Sequence, residues 1–330
     1  MKIDLHAHLI PRDCLDMTDK NGRKFGLTLG RDASGREVLA SAGRPSSTTV
    51  AEMCDPEYRI QDMDKIGLDM QVISVAPTNI FYDFDAEEGL GFARRYNDGI
   101  AEVVRDYPDR FLGMATLPMQ AVDKAVLEME RSVRELGLKA VEIISNINGK
   151  NLDEPEFWPF YEKAQEMGVL IYVHPMRVAG ADRMKKYWLA NLVGNPLDTT
   201  IAVASIIFGG ILEKFPRLKF LFSHAGGYAP FIRGRWEHGY QYIDECRSIP
   251  RPPGEYFKQI YFDTIIHFGP ALAYLVDTVG ADKVVLGSDY PFAMGDPDPV
   301  ATVRNAPGIP AADKELILER TSAALLGLDI

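Results

Sequence analysis

Short apolar runs alternate with longer amphipathic stretches along nearly the whole chain, which predicts β-strands followed by helices and hence a parallel sheet. The first run, Met1-Lys2-Ile3-Asp4-Leu5-His6-Ala7-His8, ends in two histidines. Seven more follow at 70–75, 111–116, 139–144, 169–174, 218–224, 260–264 and 284–289. Between them, 56–66 and 85–107 carry helical patterning, and Gly137 and Gly168 stand where helices should stop. Eight such strands close most naturally into a (β/α)8 TIM barrel, one domain over 1–330, with its chemistry on the loops at the C-terminal strand ends. A doubly wound open sheet would be marked by Gly-x-Gly-x-x-Gly after a strand, and the chain has none.

One stretch, 19–49, breaks the alternation. Two short runs, 25–29 and 36–39, flank the turn-forming Asp32-Ala33-Ser34-Gly35. This predicts a β-hairpin inserted after the first strand, placed to act as a lid or simply as a surface loop.

Composition narrows the function. With 46% hydrophobic and 25% charged residues the chain is an ordinary globular one. It has neither an uninterrupted apolar run long enough for a membrane span nor a basic-then-apolar leader, so a cytoplasmic protein is expected. A net charge of −11 without a basic cluster argues against nucleic acid and leaves a small molecule as partner. Cys14, Cys54 and Cys246 are too few and too scattered for a disulfide framework or a thiolate metal site.

The histidines change the picture most. Residues two apart in a strand share a face, so His6 and His8 can converge on one ion. His174 ends the fifth predicted strand, His224 the sixth and Asp289 the eighth, all at the face where a barrel carries its site. Three imidazoles and a carboxylate suit Zn2+, which gives His6, His8, His174 and Asp289 as ligands. That leaves His224 as the candidate acid/base, since imidazole exchanges a proton near neutrality. Lys139 begins its strand and so lies at the wrong end to bridge two metals; Glu142 is the weaker candidate for that role, and one metal is expected. His238 and His267 have no comparable placement.

These residues also carry a resemblance. Asp-Leu-His-Ala-His at 4–8, the segment from Asp55-Pro56 to Asp64, His174-Pro175 with Arg183-Met184-Lys185-Lys186 downstream, His224-Ala225-Gly226-Gly227, Arg251-Pro252-Pro253 and Leu286-Gly287-Ser288-Asp289-Tyr290-Pro291-Phe292 recur in that order. Together they make the sequence similar to the amidohydrolase superfamily, within its decarboxylase branch, over nearly the whole length. The resemblance implies a mononuclear Zn2+ site with the ligands above and His224 beside it handling protons together with Asp289. It further implies that Phe292 and Trp188, or the adjacent Tyr187, line the substrate pocket, and that Arg235 enters the neighbouring subunit's site in a homodimer. Arg44 would meet the substrate carboxylate, although it stands about three residues farther from Asp55 than the resemblance leads one to expect, where Ser47 sits. Relatives that act on hydroxylated benzoates often have Glu-x-His at the first motif and prefer Mn2+; His6-x-His8 favours zinc, with manganese as the alternative. The implied activity is nonoxidative decarboxylation of a small unsaturated or aromatic carboxylic acid, of muconate-semialdehyde or hydroxybenzoate type. Hydrolysis or hydration of a small ester, lactone or unsaturated acid is the other chemistry such a site can perform.

Overall fold

The computed structural model describes residues 1–20, 27–41 and 44–328, the side chains of 18–20, 27, 41 and 44–47 excepted. Eleven strands are present among them: β1 (Ile3–His8), β2 (Leu27–Arg31), β3 (Glu37–Ser41), β4 (Arg44–Thr49), β5 (Met70–Ser74), β6 (Phe111–Thr116), β7 (Ala140–Ile144), β8 (Leu170–His174), β9 (Lys219–Phe222), β10 (Ile260–Asp263) and β11 (Val284–Val285). Eight form one parallel sheet in the order β1-β5-β6-β7-β8-β9-β10-β11. The segment after β11 returns to β1 through a parallel bridge between Ala7 and Tyr290 and through Asp289 N–H to His6 O and His8 N–H to Tyr290 O, at 2.8 and 2.7 Å. The sheet is thereby closed, and the (β/α)8 barrel expected from the alternation is the observed fold.

The helices form where the sequence carries their start and stop signals. Asp55 caps the helix Pro56–Ile66 by accepting from Glu57 and Tyr58 N–H at 2.9 and 3.2 Å, Pro56 opens it, and Gly67 ends it in the left-handed conformation. Gly168 does the same after the helix Trp158–Met167. Two apolar layers result. One lies between the sheet and its helices; the other fills the barrel, where Ile3, Leu5, Val72, Met114, Leu170, Tyr172, Leu221 and Val285 meet. Ala323, Leu325 and Leu326 of the last helix, Thr321–Leu326, cover this second layer at the N-terminal strand ends.

The insertion carries one strand more than the sequence suggested. The predicted hairpin is present as β2 and β3, with Asp32 gathering the Ser34 and Arg36 N–H groups in the turn, but β4 adds a third antiparallel strand. Polar Arg44-Pro45-Ser46-Ser47-Thr48-Thr49 has no apolar alternation, and its pairing is supplied by β3 rather than by its own propensity. Phe25 and Gly26, predicted in the first hairpin strand, lie outside the described residues. Thr48 Oγ1 donates to Pro291 O at 3.1 Å, which ties the insertion to the loop that follows Asp289.

Candidate metal centre

The geometry of β1 decides where its histidines point. Strict alternation would put Asp4, His6 and His8 on one face. Instead Asp4 pairs with Gln71 and Ala7 with Ile73, so three steps on β1 oppose two on β5, which is a bulge. Leu5 therefore packs inward against Tyr172, and His6 follows it, its ring 5.1 Å from the Tyr172 ring. Asp4 turns the other way and accepts from the His6 and Ser288 N–H groups, both at 3.0 Å.

Second partners fix the imidazole tautomers. His6 Nδ1 lies 2.7 Å from Asp263 Oδ2. His8 Nδ1 faces Val75 O at 3.3 Å and Ser74 Oγ at 3.1 Å, and His174 Nδ1 faces Pro175 O at 2.9 Å. A carboxylate or carbonyl can only accept, so in the neutral ring each Nδ1 carries the proton and each Nε2 presents a lone pair. These lone pairs converge. His6 and His8 Nε2 are 3.1 Å apart and each is 3.2 Å from Asp289 Oδ1. His174 Nε2 and Asp289 Oδ1 are buried without a hydrogen-bond partner. Donor atoms of His6, His174, His224 and Asp289 all lie within 4.8 Å of one another. Facing acceptors at such distances repel unless a cation sits among them, so the donor set fits a divalent metal ion.

The electrostatics agree. Burial opposes charge on His6, yet Asp289 and Asp263 beside it raise its pKa to about 10. Burial lowers His8 to about 4 and holds His174 well below the usual imidazole value, with the neighbouring imidazoles adding to the effect. Burial pushes Asp289 up, but the charge that His6 carries and the other imidazoles around it keep it well below the carboxylate range. The cage therefore takes up positive charge at its centre, as a proton or as a metal.

His224 and Asp289 both adopt left-handed backbone, with φ of 52° and 58°, which is uncommon for residues with a Cβ and typical of functional turns. Close packing sets the turn around His224: a Cβ on Gly227 would lie 2.0 Å from Pro196 O. His224 Nε2 is 3.6 Å from Asp289 Oδ2, and its side chain is 15% exposed where those of His6 and His8 are fully enclosed, so it faces the mouth of the cage. Phe292 also reaches the site, its ring 5.3 Å from that of His8. Trp188 and Tyr187 are exposed on the loop after β8, and Arg235 is exposed on the helix Ala229–Tyr242. Arg44 opens β4, and its side chain lies outside the described residues.

Sequence reasoning passed over Asp263. Besides His6 it accepts from the His224, Ala225 and Ile265 N–H groups at 3.0, 2.8 and 3.1 Å, so one carboxylate orients a ligand and the turn that carries His224. Its signal was present as the lone acid ending the seventh barrel strand. Glu142, weighed from sequence as a bridging ligand, is fully buried in β7 with neither carboxylate oxygen hydrogen-bonded, and burial raises its pKa to about 8.

Imidazoles and a carboxylate gathered at the C-terminal strand ends of a closed parallel barrel form a cluster that could hold a metal ion, at the face where barrel enzymes carry their chemistry. The amidohydrolase family model matches residues 3–328. The chain is 36% identical to 2-amino-3-carboxymuconate-6-semialdehyde decarboxylase of Dictyostelium discoideum over 100% of this chain and 92% of that one. The crystal structure of 5-carboxyvanillate decarboxylase from Sphingomonas paucimobilis superposes with a TM-score of 0.85 at 26% identity, covering 99% of both chains. The fold is shared as well by a dihydroxybenzoic acid decarboxylase from Polaromonas solved with bound manganese and 2-nitroresorcinol, at a TM-score of 0.81 and 24% identity over 99% of this chain and 96% of that one. The chain thus belongs to the amidohydrolase family, and it is a carboxy-lyase of that superfamily.

Proposed function

We propose that the chain removes carbon dioxide from a small conjugated acid of the carboxymuconate-semialdehyde type, with His6, His8, His174 and Asp289 holding one Zn2+ ion. The observation that carries this reading is the convergence of imidazole lone pairs on Asp289 Oδ1 with Asp263 behind His6. Three nitrogens and one oxygen are a zinc donor set, and manganese, present in the Polaromonas decarboxylase, is the competing ion. When bound, the ion would supply Lewis acidity to a substrate oxygen.

The rest is done by the chain itself. A proton from His224 Nε2, with the Asp289 carboxylate beside it to hold the charged imidazole, goes to the carbon that bears the carboxylate and forms a C–H bond there. The C–C bond to the carboxylate then breaks, its electron pair returns to the conjugated system, and carbon dioxide leaves. His224 regains a proton through its exposed edge. Phe292 supplies an apolar wall against His8, and Trp188 would complete it. Arg44 is suited to a substrate carboxylate through paired hydrogen bonds.

Arg235 would reach a second subunit. It shares its helix with the exposed Phe231, which stacks on Tyr274 with ring centroids 4.8 Å apart, and exposed Leu192, Val193, Tyr228 and Tyr242 extend the apolar surface. Such a patch suits a homodimer. The inserted sheet, tied to Pro291 through Thr48, is placed to close over the substrate. A reducing compartment, the cytoplasm, suits the reduced thiols of Cys14, Cys54 and Cys246, and no described helix is long and apolar enough to cross a membrane.

The test is carbon dioxide release from a panel of muconate semialdehydes and ortho-hydroxybenzoates, with metal content measured on the same protein. Release from the former with one zinc per chain is expected; protein without stoichiometric zinc or manganese would overturn the reading. Mixing His224→Ala with Arg235→Ala subunits should restore activity that neither has alone. Replacing 19–49 by a short Gly-Ser linker without loss of turnover would remove the lid.

A further inference from the structure

Arg59 is fully buried, and among the described residues no carboxylate lies within salt-bridge distance of it. An unpaired buried guanidinium is costly, so its contacts must account for its position. Its Nη1 donates to Gln71 Oε1 at 3.2 Å, and its Nη2 donates to His8 O and to Glu52 O. The guanidinium lies over the Tyr290 ring, 4.5 Å from its centroid. Gln71 in turn donates through Nε2 to Asp4 Oδ2 at 2.9 Å. Asp4, also fully buried, receives the His6 N–H, the Ser288 N–H and the Ser288 hydroxyl.

The arrangement is a cation and an anion joined by one amide. Gln71 accepts from Arg59 through its amide oxygen and donates to Asp4 through its amide nitrogen, so one side chain couples the two charges. What the two ends grip is the seam where β1 meets the segment after β11. His6 is held by its own N–H, which the bulge removes from the β-ladder and Asp4 takes up. His8 is held by its own carbonyl. Asp289 is held from both sides: Ser288 is bound to Asp4, and Tyr290 lies under Arg59 and donates its N–H to Ser288 Oγ at 3.1 Å. Three of the four proposed ligands thus have a gripped backbone group at or next to them.

We propose that Arg59, Gln71 and Asp4 form a single positioning relay that sets the spacing of His6, His8 and Asp289 and thereby the affinity of the cage for its metal. The inference rests on the cage being a metal site. Outer-shell groups of this kind typically change metal affinity by about 10–100-fold. Gln71→Leu keeps the volume and cuts the relay at its centre, while Arg59→Met removes the cation.

The decisive measurement is the Zn2+ dissociation constant of the folded variants, read by competition with a chromophoric chelator, beside the melting temperature of the metal-free proteins. Gln71→Leu is expected to weaken Zn2+ binding by about tenfold or more. The double variant should bind no more weakly than Arg59→Met alone, because the two residues act as one unit. Unchanged affinity in Gln71→Leu would overturn the relay, as would additive losses in the double variant, or a fall in metal-free melting temperature with affinity intact. A wild-type protein that binds no Zn2+ would instead overturn the metal site and the relay with it.

Discussion

In the lower half of the barrel, Leu5, Val72, Met114, Leu170, Leu221 and Val285 meet through contacts that other apolar side chains of similar volume would also make. Higher on the same strands the interior is built from His6, His8, Glu142, His174 and Asp263, each fixed by a particular partner or enclosed without one. The lower layer is non-directional burial and contributes stability. The upper layer forgoes that contribution, because its polar atoms are enclosed and several have no hydrogen-bond partner. One strand can therefore be changed at its base and at its tip with quite different consequences.

Stripping the metal by dialysis against a chelator should separate the two layers most sharply: carbon dioxide release is lost, the far-ultraviolet circular dichroism of the barrel persists, and adding back Zn2+ or Mn2+ restores turnover. Next in size, His224→Ala is expected to lower kcat by about 10²–10⁴-fold with metal content retained; undiminished turnover would remove His224 as the proton-handling group. In the lower layer, Leu221→Ala should cost about 2–5 kcal/mol of unfolding free energy in urea titrations and leave kcat unchanged in the folded fraction. Asp263→Asn, which weakens the acceptor behind His6, should raise the metal dissociation constant by about 10–100-fold, and wild-type affinity would show that His6 is oriented by packing alone.

The effect that shows only as a dependence on pH belongs to Glu142. Burial raises its pKa from 4.5 to about 8, so the folded chain holds a proton that the unfolded chain has released. The associated stability of the metal-free protein is whole below about pH 4.5 and declines as pH rises, until the loss is complete above about pH 8. Glu142→Gln should flatten that decline between pH 5 and 8 in urea midpoints. An equal slope in both proteins would mean that Glu142 ionises as an exposed acid does.

The apolar layer and the barrel were legible in the sequence because alternation, helix stops and the position of each histidine are local signals. The helix after Asp55-Pro56 runs over the residues its caps mark. His6, His8, His174, His224 and Asp289 are gathered because strand ends of a barrel are neighbours whatever separates them in the chain. What escaped notice depends on contacts that no local pattern encodes. The bulge in β1 shows only against the register of Gln71 and Ile73. Asp263 is one acid among many until the fold sets it behind His6, and Arg59 looks like a solvated helix arginine until the seam encloses it. The polar strand β4 borrows its pairing from β3 and has no periodicity of its own.

The seam also has a bearing on biosynthesis. Asp4 and Ser288 are 284 positions apart, yet the bond between them joins the two ends of the cage. In a nascent chain His6 and His8 are made long before Asp289, with every other strand of the barrel between them. The donor set is therefore complete only once the segment after β11 has been made and has closed against β1. A chain truncated before Asp289 would keep His6 and His8 but lack the carboxylate they face.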